Sequence, residues 1–448
     1  MQALVYLALL MLPKPAVPTA LPSSLYDDPV SLGEKVSYDG YRVYRIDLAR
    51  NAPVVASALE ETLKGFHTIH TRNYVEVAVP PSQAVTFEGL GLTGVELIND
   101  DLGRDIAAGA MSISSSSYDS LHSRIPGELP DLSWFDTYHS YDDHLQYWAD
   151  LQASFPENSE LFDAGPSYEG RRIFGLRLWD DGADGNNTSK PIILWHATVH
   201  AREWISTALI AGYQSGDEEV KSLLDYYDFY IVPFHNPDGF VYTQTTDRLW
   251  RKNRQPRDGT DCIGTDGNRN WGYKWDHPIN GSVLTDPCGQ TYHGEAAGDT
   301  PENIALSALS AKLAAGGSGI RSFIDWHSYG QLITLPWGWS CEPEDLPANL
   351  EEQRAVGAGY AAAIFNATGA GDGDGTVYDV GPACEILYYG TGSARDYHQG
   401  ALDAPFSWTV ELRPREASGG GFVLPAEFIW PTVKEQWAGL RYVLHAVK

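Results

Sequence analysis

The sequence predicts an α/β protein of two folding units, and three observations carry the prediction. The 448 residues exceed what one typical domain holds. From Trp134 onward, short apolar runs alternate with helical stretches, the pattern of a buried sheet covered by helices on both faces. A smaller alternation of the same kind fills Leu32 to Ala110, upstream of a serine-rich stretch with little apolar periodicity.

Taken in order, residues 1–20 open with the uncharged apolar run Met1 to Leu12, followed by Pro13 and small residues to Ala20. The run is too short to span a membrane and reads as a secretory signal peptide, although it lacks a basic start. Residues 21–110 alternate strand-like Tyr41 to Leu48, helix-like Pro53 to Gly65, and strand-like Tyr74 to Val79 and Gly94 to Ile98, which suits a small α/β sandwich. Residues 111–130 hold the serine run Ser114 to Ser117 and read as an exposed linker open to proteolysis, with Arg124 its one basic residue; the alternative is a linker that stays uncut. In residues 131–448 the strand-like runs are Ile173 to Leu178, Ile192 to Val199, Asp228 to Pro233, Phe323 to His327 and Phe406 to Leu412.

Lys and Arg number 31 against 59 Asp and Glu, a formal charge of -28. Such a surface repels nucleic acid and anionic membranes, so neither is an expected partner. No later stretch is apolar enough to span a bilayer. Four cysteines behind a signal peptide suggest two disulfides, the alternative being buried free thiols. Sequons at Asn186 or Asn187, Asn280 and Asn366 fit the same oxidising route, each an acceptor only if exposed.

His200-Ala-Arg-Glu203-Trp follows the apolar run Ile192 to Val199, which puts an imidazole and a carboxylate at a strand-to-helix corner. A helix starting at about Arg202 turns Glu203 back toward His200, giving half of a metal site with one side open. The pair by itself is a weak signal: a corner histidine beside an exposed glutamate has the same spacing. His196 offers a rival pair with His200, but in an extended strand it lies about 13 Å away and reads as a strand histidine. His200, His327 and Glu411 all fall at or near strand ends, where open α/β sheets gather functional groups.

Further segments appear in order: Asn236-Pro-Asp-Gly-Phe240, Arg248-Leu-Trp-Arg251-Lys-Asn-Arg254, Asp266-Gly-Asn268-Arg269-Asn270-Trp271, Ile324-Asp-Trp-His327-Ser-Tyr and Thr409-Val-Glu411-Leu-Arg413. With His200-Ala-Arg-Glu203-Trp, they resemble the metallocarboxypeptidases of the carboxypeptidase A/B family, from about Ser133 to the C-terminus and more weakly over the N-terminal third. The resemblance implies a mixed central sheet with helices on both faces, preceded by a small ferredoxin-like propeptide domain that covers the active-site cleft. It also supports pairing Cys262 with Cys288 and Cys341 with Cys384.

The implied chemistry is metal-assisted hydrolysis of a C-terminal peptide bond. Such a site needs three protein ligands and an open position, which His200, Glu203 and His327 supply for one Zn2+ per chain. Asp266 would orient His200 through its other ring nitrogen. Glu411, in an otherwise apolar strand, would serve as general base and then as proton donor. Arg251 would polarise the scissile carbonyl, a role that a fixed cation fills best in a dry site. Asn268 and Arg269 match the pair that grips the free carboxylate, since a planar guanidinium binds carboxylate bidentately. Tyr388 matches the tyrosine that closes over the terminal residue, with Tyr389 leaving the register open. Arg202 is expected to face the cleft farther from the scissile bond.

Two departures bear on specificity and packing. The segment Ile205 to Gly216 is roughly two turns shorter than the family's helix. Arg395 stands at the base of the pocket for the terminal side chain, which is apolar in A-type enzymes, acidic in B-type and basic in O-type. An unpaired guanidinium there predicts preference for C-terminal Glu or Asp. Alternatives are an A-type enzyme for apolar or aromatic residues, a non-catalytic peptide-binding member, and an amidase of similar fold. The expected product is a monomeric zymogen, secreted to the extracellular space or to a vacuolar or lysosomal lumen. Its partners would be peptide or protein C-termini and an activating endoprotease.

Overall fold

The computed structural model describes residues 35–48, 68–70, 74–114, 129–130, 132–180, 190–211, 218–279, 284–369 and 375–448. The expected signal segment, the helix at Pro53 to Gly65, Arg124 and the sequons at Asn186, Asn187 and Asn280 lie outside them. Asn366 is exposed on its helix. No helix of the described residues is long and apolar enough to cross a membrane.

Four antiparallel strands form the smaller sheet: β1 (Arg42–Asp47), β2 (Thr68–His70), β3 (Tyr74–Val79) and β4 (Val95–Asn99), in the order β2-β3-β1-β4. Helices α1 (Ala84–Gly89) and α2 (Leu102–Ser114) accompany it. Helix α2 runs past the expected domain end at Ala110, so the first residues of the predicted linker are helical. Strand β3 is buried on both faces, and its alternation explains how. Val75, Val77 and Val79 pack with Ile46 and Phe87 in the small unit's own core. Ala78 packs the other way, in a cluster with Val43 and Leu102 that also contains Leu249, Tyr329, Ala417 and Val423 of the larger layer.

The larger sheet has eight strands: β5 (Ser159–Pro166), β6 (Arg172–Leu178), β7 (Ile192–Ala197), β8 (Asp228–Val232), β9 (Ile320–Ser328), β10 (Leu332–Leu335), β11 (Asp379–Pro382) and β12 (Phe406–Leu412). Their order is β11-β10-β12-β9-β7-β8-β6-β5. Strands β12, β9, β7 and β8 are parallel neighbours, while antiparallel pairs at β10–β12, β8–β6 and β6–β5 make the sheet mixed. Pleating sends Ile193, Trp195, Ile324, Trp326, Trp408 and Val410 into one core, against helices α3 (Tyr141–Ser154), α8 (Leu350–Thr368) and α11 (Ile429–Ala446). On the opposite face Ile192, Leu194 and Phe323 pack on α7 (Pro301–Ala314) and α10 (Ala394–Leu402). The helices α4 (Trp204–Ala211), α5 (Glu218–Tyr226), α6 (Pro237–Thr245) and α9 (Ala383–Ile386) complete the layers. Strands β5, β10 and β11 escaped prediction: β5 and β11 are edge strands broken by Gly165-Pro166 and Gly381-Pro382, and β10 is only four residues long.

Candidate metal centre and cleft

Three adjacent parallel strands, β7, β9 and β12, end on the same side of the sheet and carry the candidate residues there. His200 sits in the corner after β7, where its carbonyl accepts the Glu203 amide at 3.2 Å. Helix α4 begins at Trp204 rather than at Arg202, which leaves Glu203 just ahead of the first turn. The corner is pinned from outside: Ala201 N–H donates to the Arg251 carbonyl at 3.1 Å, and Asn236 Nδ2 to the carbonyls of Val199 and Lys252 at 3.2 and 3.0 Å. Asn236 also caps α6, so the Asn236-Pro-Asp-Gly-Phe240 segment acts as a brace behind the site. His327 projects from β9, and Glu411 is its in-register neighbour on β12.

His200, Glu203 and His327 are all buried, and one ligand atom from each lies within 4.8 Å of the others. Glu203 Oε1 is 2.8 Å from His200 Nδ1, Glu203 Oε2 is 3.0 Å from His327 Nδ1, and the two Nδ1 atoms are 3.0 Å apart. Behind them, His200 Nε2 faces Asp266 Oδ1 at 3.1 Å and His327 Nε2 faces Asp325 Oδ2 at 2.8 Å. Carboxylates only accept, so Asp266 assigns the proton of His200 to Nε2; at His327 the shorter Asp325 contact does the same against the 3.1 Å approach of Asn268 Nδ2, which leaves both Nδ1 atoms with bare lone pairs. Lone pairs crowded against a carboxylate in this way need a cation between them. A proton answers that need in part: burial opposes charging His327, but Asp325 and Glu203 raise its pKa well above the ordinary value. Glu203 is held far below the usual carboxylate range, because the two imidazoles outweigh the effect of burial. Two histidines and one glutamate with an open side form a donor set that fits zinc.

The charges around this centre are interlocked. Arg251 donates from Nε and Nη2 to Asp266 Oδ2 at 3.1 and 2.8 Å. Asp266 therefore ties the predicted oxyanion cation to the His200 ring. Glu411 is partly buried, and its carboxylate makes no hydrogen bond or ion pair to a described residue. Its pKa is pushed up to about 7, chiefly by burial, with Glu203 adding to the rise while His327 and Arg251 oppose it.

Three further contacts shape the outer cleft, and one of them, at Arg395, departs from expectation. Arg269 donates from Nη1 to the Asn268 carbonyl at 2.7 Å and from Nη2 to the Tyr388 hydroxyl at 2.8 Å, while Tyr389 is 51% exposed. Tyr388, not Tyr389, is therefore the tyrosine joined to Arg269, and Asn268 spends its Oδ1 on the Ala394 amide at 2.8 Å. Arg202 is buried in the intact chain beneath Phe422, whose ring centre is 3.9 Å from its guanidinium carbon, and burial together with Arg251 lowers its pKa to about 10. Arg395 is buried as well, but not unpaired: Nε donates to Asp396 Oδ1 at 3.0 Å and Nη1 to Thr334 Oγ1 at 2.9 Å. Asp396 in turn accepts the Gly338 amide at 2.9 Å. That correction arises because Ser393 caps α10 and the first turn folds Asp396 back beside Arg395, a partnership that adjacency in sequence does not reveal.

Sequence reasoning missed Asp325, although Asp325-Trp-His327 on a strand places the two polar side chains on one face and was a usable signal. It also missed the contact across the cleft, where Glu76 of β3, bound to Arg45 at 2.5 and 3.1 Å, accepts the Tyr329 hydroxyl at 2.5 Å. The disulfides are Cys262–Cys288 and Cys341–Cys384, which leaves no free cysteine.

A protein-family model described as zinc carboxypeptidase matches residues 144–439. The metallocarboxypeptidase A of Trichophyton rubrum is 38% identical over 426 residues, covering 92% of this chain and 94% of that protein. The zinc carboxypeptidase of Simulium vittatum is 34% identical over 66% of this chain and 92% of its own length. Among solved structures, carboxypeptidase A from Helicoverpa armigera superposes with a TM-score of 0.76 at 27% identity, covering 92% of this chain and 98% of the other.

Proposed function

This chain belongs to the zinc carboxypeptidase family, and from that premise we propose that it is a secreted zymogen whose trimmed form removes acidic residues from peptide C-termini. The observation that carries the catalytic reading is the crowding of His200 Nδ1, His327 Nδ1 and both Glu203 oxygens within 3.0 Å contacts, with unbonded Glu411 on the neighbouring strand. His200, Glu203 and His327 would hold zinc, which supplies Lewis acidity at the scissile carbonyl and toward water. Glu411 would take the proton from the attacking water and hand it to the leaving amine, a task suited by a pKa near the working pH. Arg251, held in place by Asp266, would face the negative charge developing on the carbonyl oxygen. Arg269 with Tyr388, and Asn268 beside them, would receive the terminal carboxylate.

Arg395 supports the acidic preference, since its Nη2 makes no hydrogen bond to a described residue and remains available to a substrate carboxylate. A second reading, an apolar preference, is favoured by the Asp396 and Thr334 contacts, which already satisfy much of that guanidinium. The docked small sheet, with Glu76 bonded to Tyr329 two residues beyond His327, supports the propeptide reading. Both disulfides fit an oxidising compartment. The deciding experiment measures kcat/KM of the zinc-loaded, protease-trimmed enzyme on matched peptides ending in Glu, Phe and Lys. Hydrolysis with Glu ahead is expected; no release of any C-terminal residue would defeat the catalytic reading, and Phe ahead of Glu would defeat only the preference.

A further inference from the structure

The two histidines of the metal centre lean on carboxylates in unlike surroundings. Asp266 shares its charge with Arg251 through two hydrogen bonds and also accepts the Asn268 amide at 2.9 Å. Asp325 is only 1% exposed, and its side chain accepts one hydrogen bond from the described residues, at Oδ2 from His327 Nε2. Its Oδ1 is buried without a partner, and no arginine or lysine among the described residues pairs with it. A buried carboxylate is rarely left so unless its free charge or an ordered water has a use.

The register supplies the second observation. Asp325 lies beside His196 on β7 and Thr409 on β12, and in-register neighbours on parallel strands project to one face. His196 is fully buried with neither ring nitrogen bonded, and Thr409 Oγ1 is buried and unbonded. Three orphaned polar side chains thus form one row across three strands, and buried polar groups of this kind are commonly satisfied by ordered water.

We propose that Asp325 is a positioning residue for the metal: held through buried water to His196 and Thr409, it fixes the Nε2–H of His327 and lends that ligand an uncompensated negative charge. His200, backed by an arginine-neutralised Asp266, is then the weaker of the two imidazole donors. The inference rests on the zinc reading of His200, Glu203 and His327.

Asp325→Asn separates charge from geometry, because the amide oxygen still accepts from Nε2–H. In the full chain, zinc affinity measured by chelator competition is expected to fall about 10 to 100-fold. The visible absorption of the cobalt-substituted protein should shift as His327 becomes a poorer donor. Affinity within about twofold of wild type, with an unshifted cobalt spectrum, overturns the proposal. Should Asp325→Asn not fold, Asp325→Ser, which leaves space for water, is judged by the same two readouts. A wild-type chain that binds no zinc in this titration instead defeats the metal-site reading.

Discussion

The metal centre and two ion pairs farther out, Arg395–Asp396 and Arg45–Glu76, solve opposite problems. At the centre, His200, Glu203 and His327 point lone pairs at one another and Glu411 stands unbonded, so the arrangement is complete only with an added cation. Around it, Arg395 has Asp396 and Thr334, and Arg45 has Glu76, so each guanidinium brings its own acid. The difference teaches where function is compelled and where it is graded. Unmet electrostatic demand in a dry site makes large effects, whereas a satisfied pair offers only the difference between its present partner and a new one.

Removing the metal should therefore give the largest change. Chelator is expected to abolish activity and zinc to restore it, and zinc at a hundred times its Kd should add about 2.7 kcal/mol to stability. A thermal midpoint that ignores both chelator and zinc would break the contrast at its root. Glu411→Gln comes next, with zinc still bound and turnover reduced about 10² to 10⁴-fold. Turnover within a few-fold of wild type would remove Glu411 from the base role. The same residue sets a pH expectation. Burial raises its pKa to about 7, a base must be ionised to act, and a nearby cation can only lower that value. In zinc-saturated enzyme, kcat/KM should fall on the acid side with a midpoint at or below about 7; a midpoint clearly above 7 contradicts the assignment.

What could be read from the sequence follows the same division. Strands β7, β9 and β12 were legible because they are interior and apolar, and His200-Ala-Arg-Glu203 because its chemistry is local. The mixed sheet, the small N-terminal sheet and the two disulfide pairings were expected from the family resemblance and were found. Asp325 was within reach through its spacing from His327, whereas its row with His196 and Thr409 depends on strand register that the sequence does not show. The cover over Arg202 was not legible either, since sequence shows its neighbours in the motif and not Phe422, more than two hundred residues away, lying over it. Arg395 was taken as unpaired for a related reason: pairing with the next residue requires the turn that Ser393 starts.

The first satisfied pair gives a smaller effect than the centre. Arg395→Ile leaves Asp396 without its guanidinium and the pocket without its basic group. Discrimination for Glu over Phe should fall about 10 to 100-fold, the size of one lost charge-assisted hydrogen bond, while zinc content stays unchanged. An unchanged Glu to Phe ratio would mean that Asp396 already neutralises Arg395 in function as it does in geometry.

The second pair sharpens the comparison most finely, because it acts on access and not on chemistry. Glu76 is 2% exposed, anchored to Arg45 and joined to the Tyr329 hydroxyl, and Arg45 also reaches Glu416 at 3.1 Å. Glu76→Gln keeps the shape of the side chain but exchanges charge-assisted bonds for neutral ones, at a cost of about 1 to 2 kcal/mol. If the small sheet blocks the cleft, that loss appears as a larger undocked fraction, and the intact chain should hydrolyse small peptides about 5 to 30-fold faster. The trimmed enzyme lacks the small sheet and provides the reference, so the quantity to follow is the ratio of intact to trimmed rates. A ratio unmoved by Glu76→Gln, in a chain whose small sheet still folds, would show that Val43, Ala78 and Leu102 hold the sheet in place through apolar packing alone. An intact wild-type chain already as fast as the trimmed one would show that docking and inhibition are separate properties of this interface.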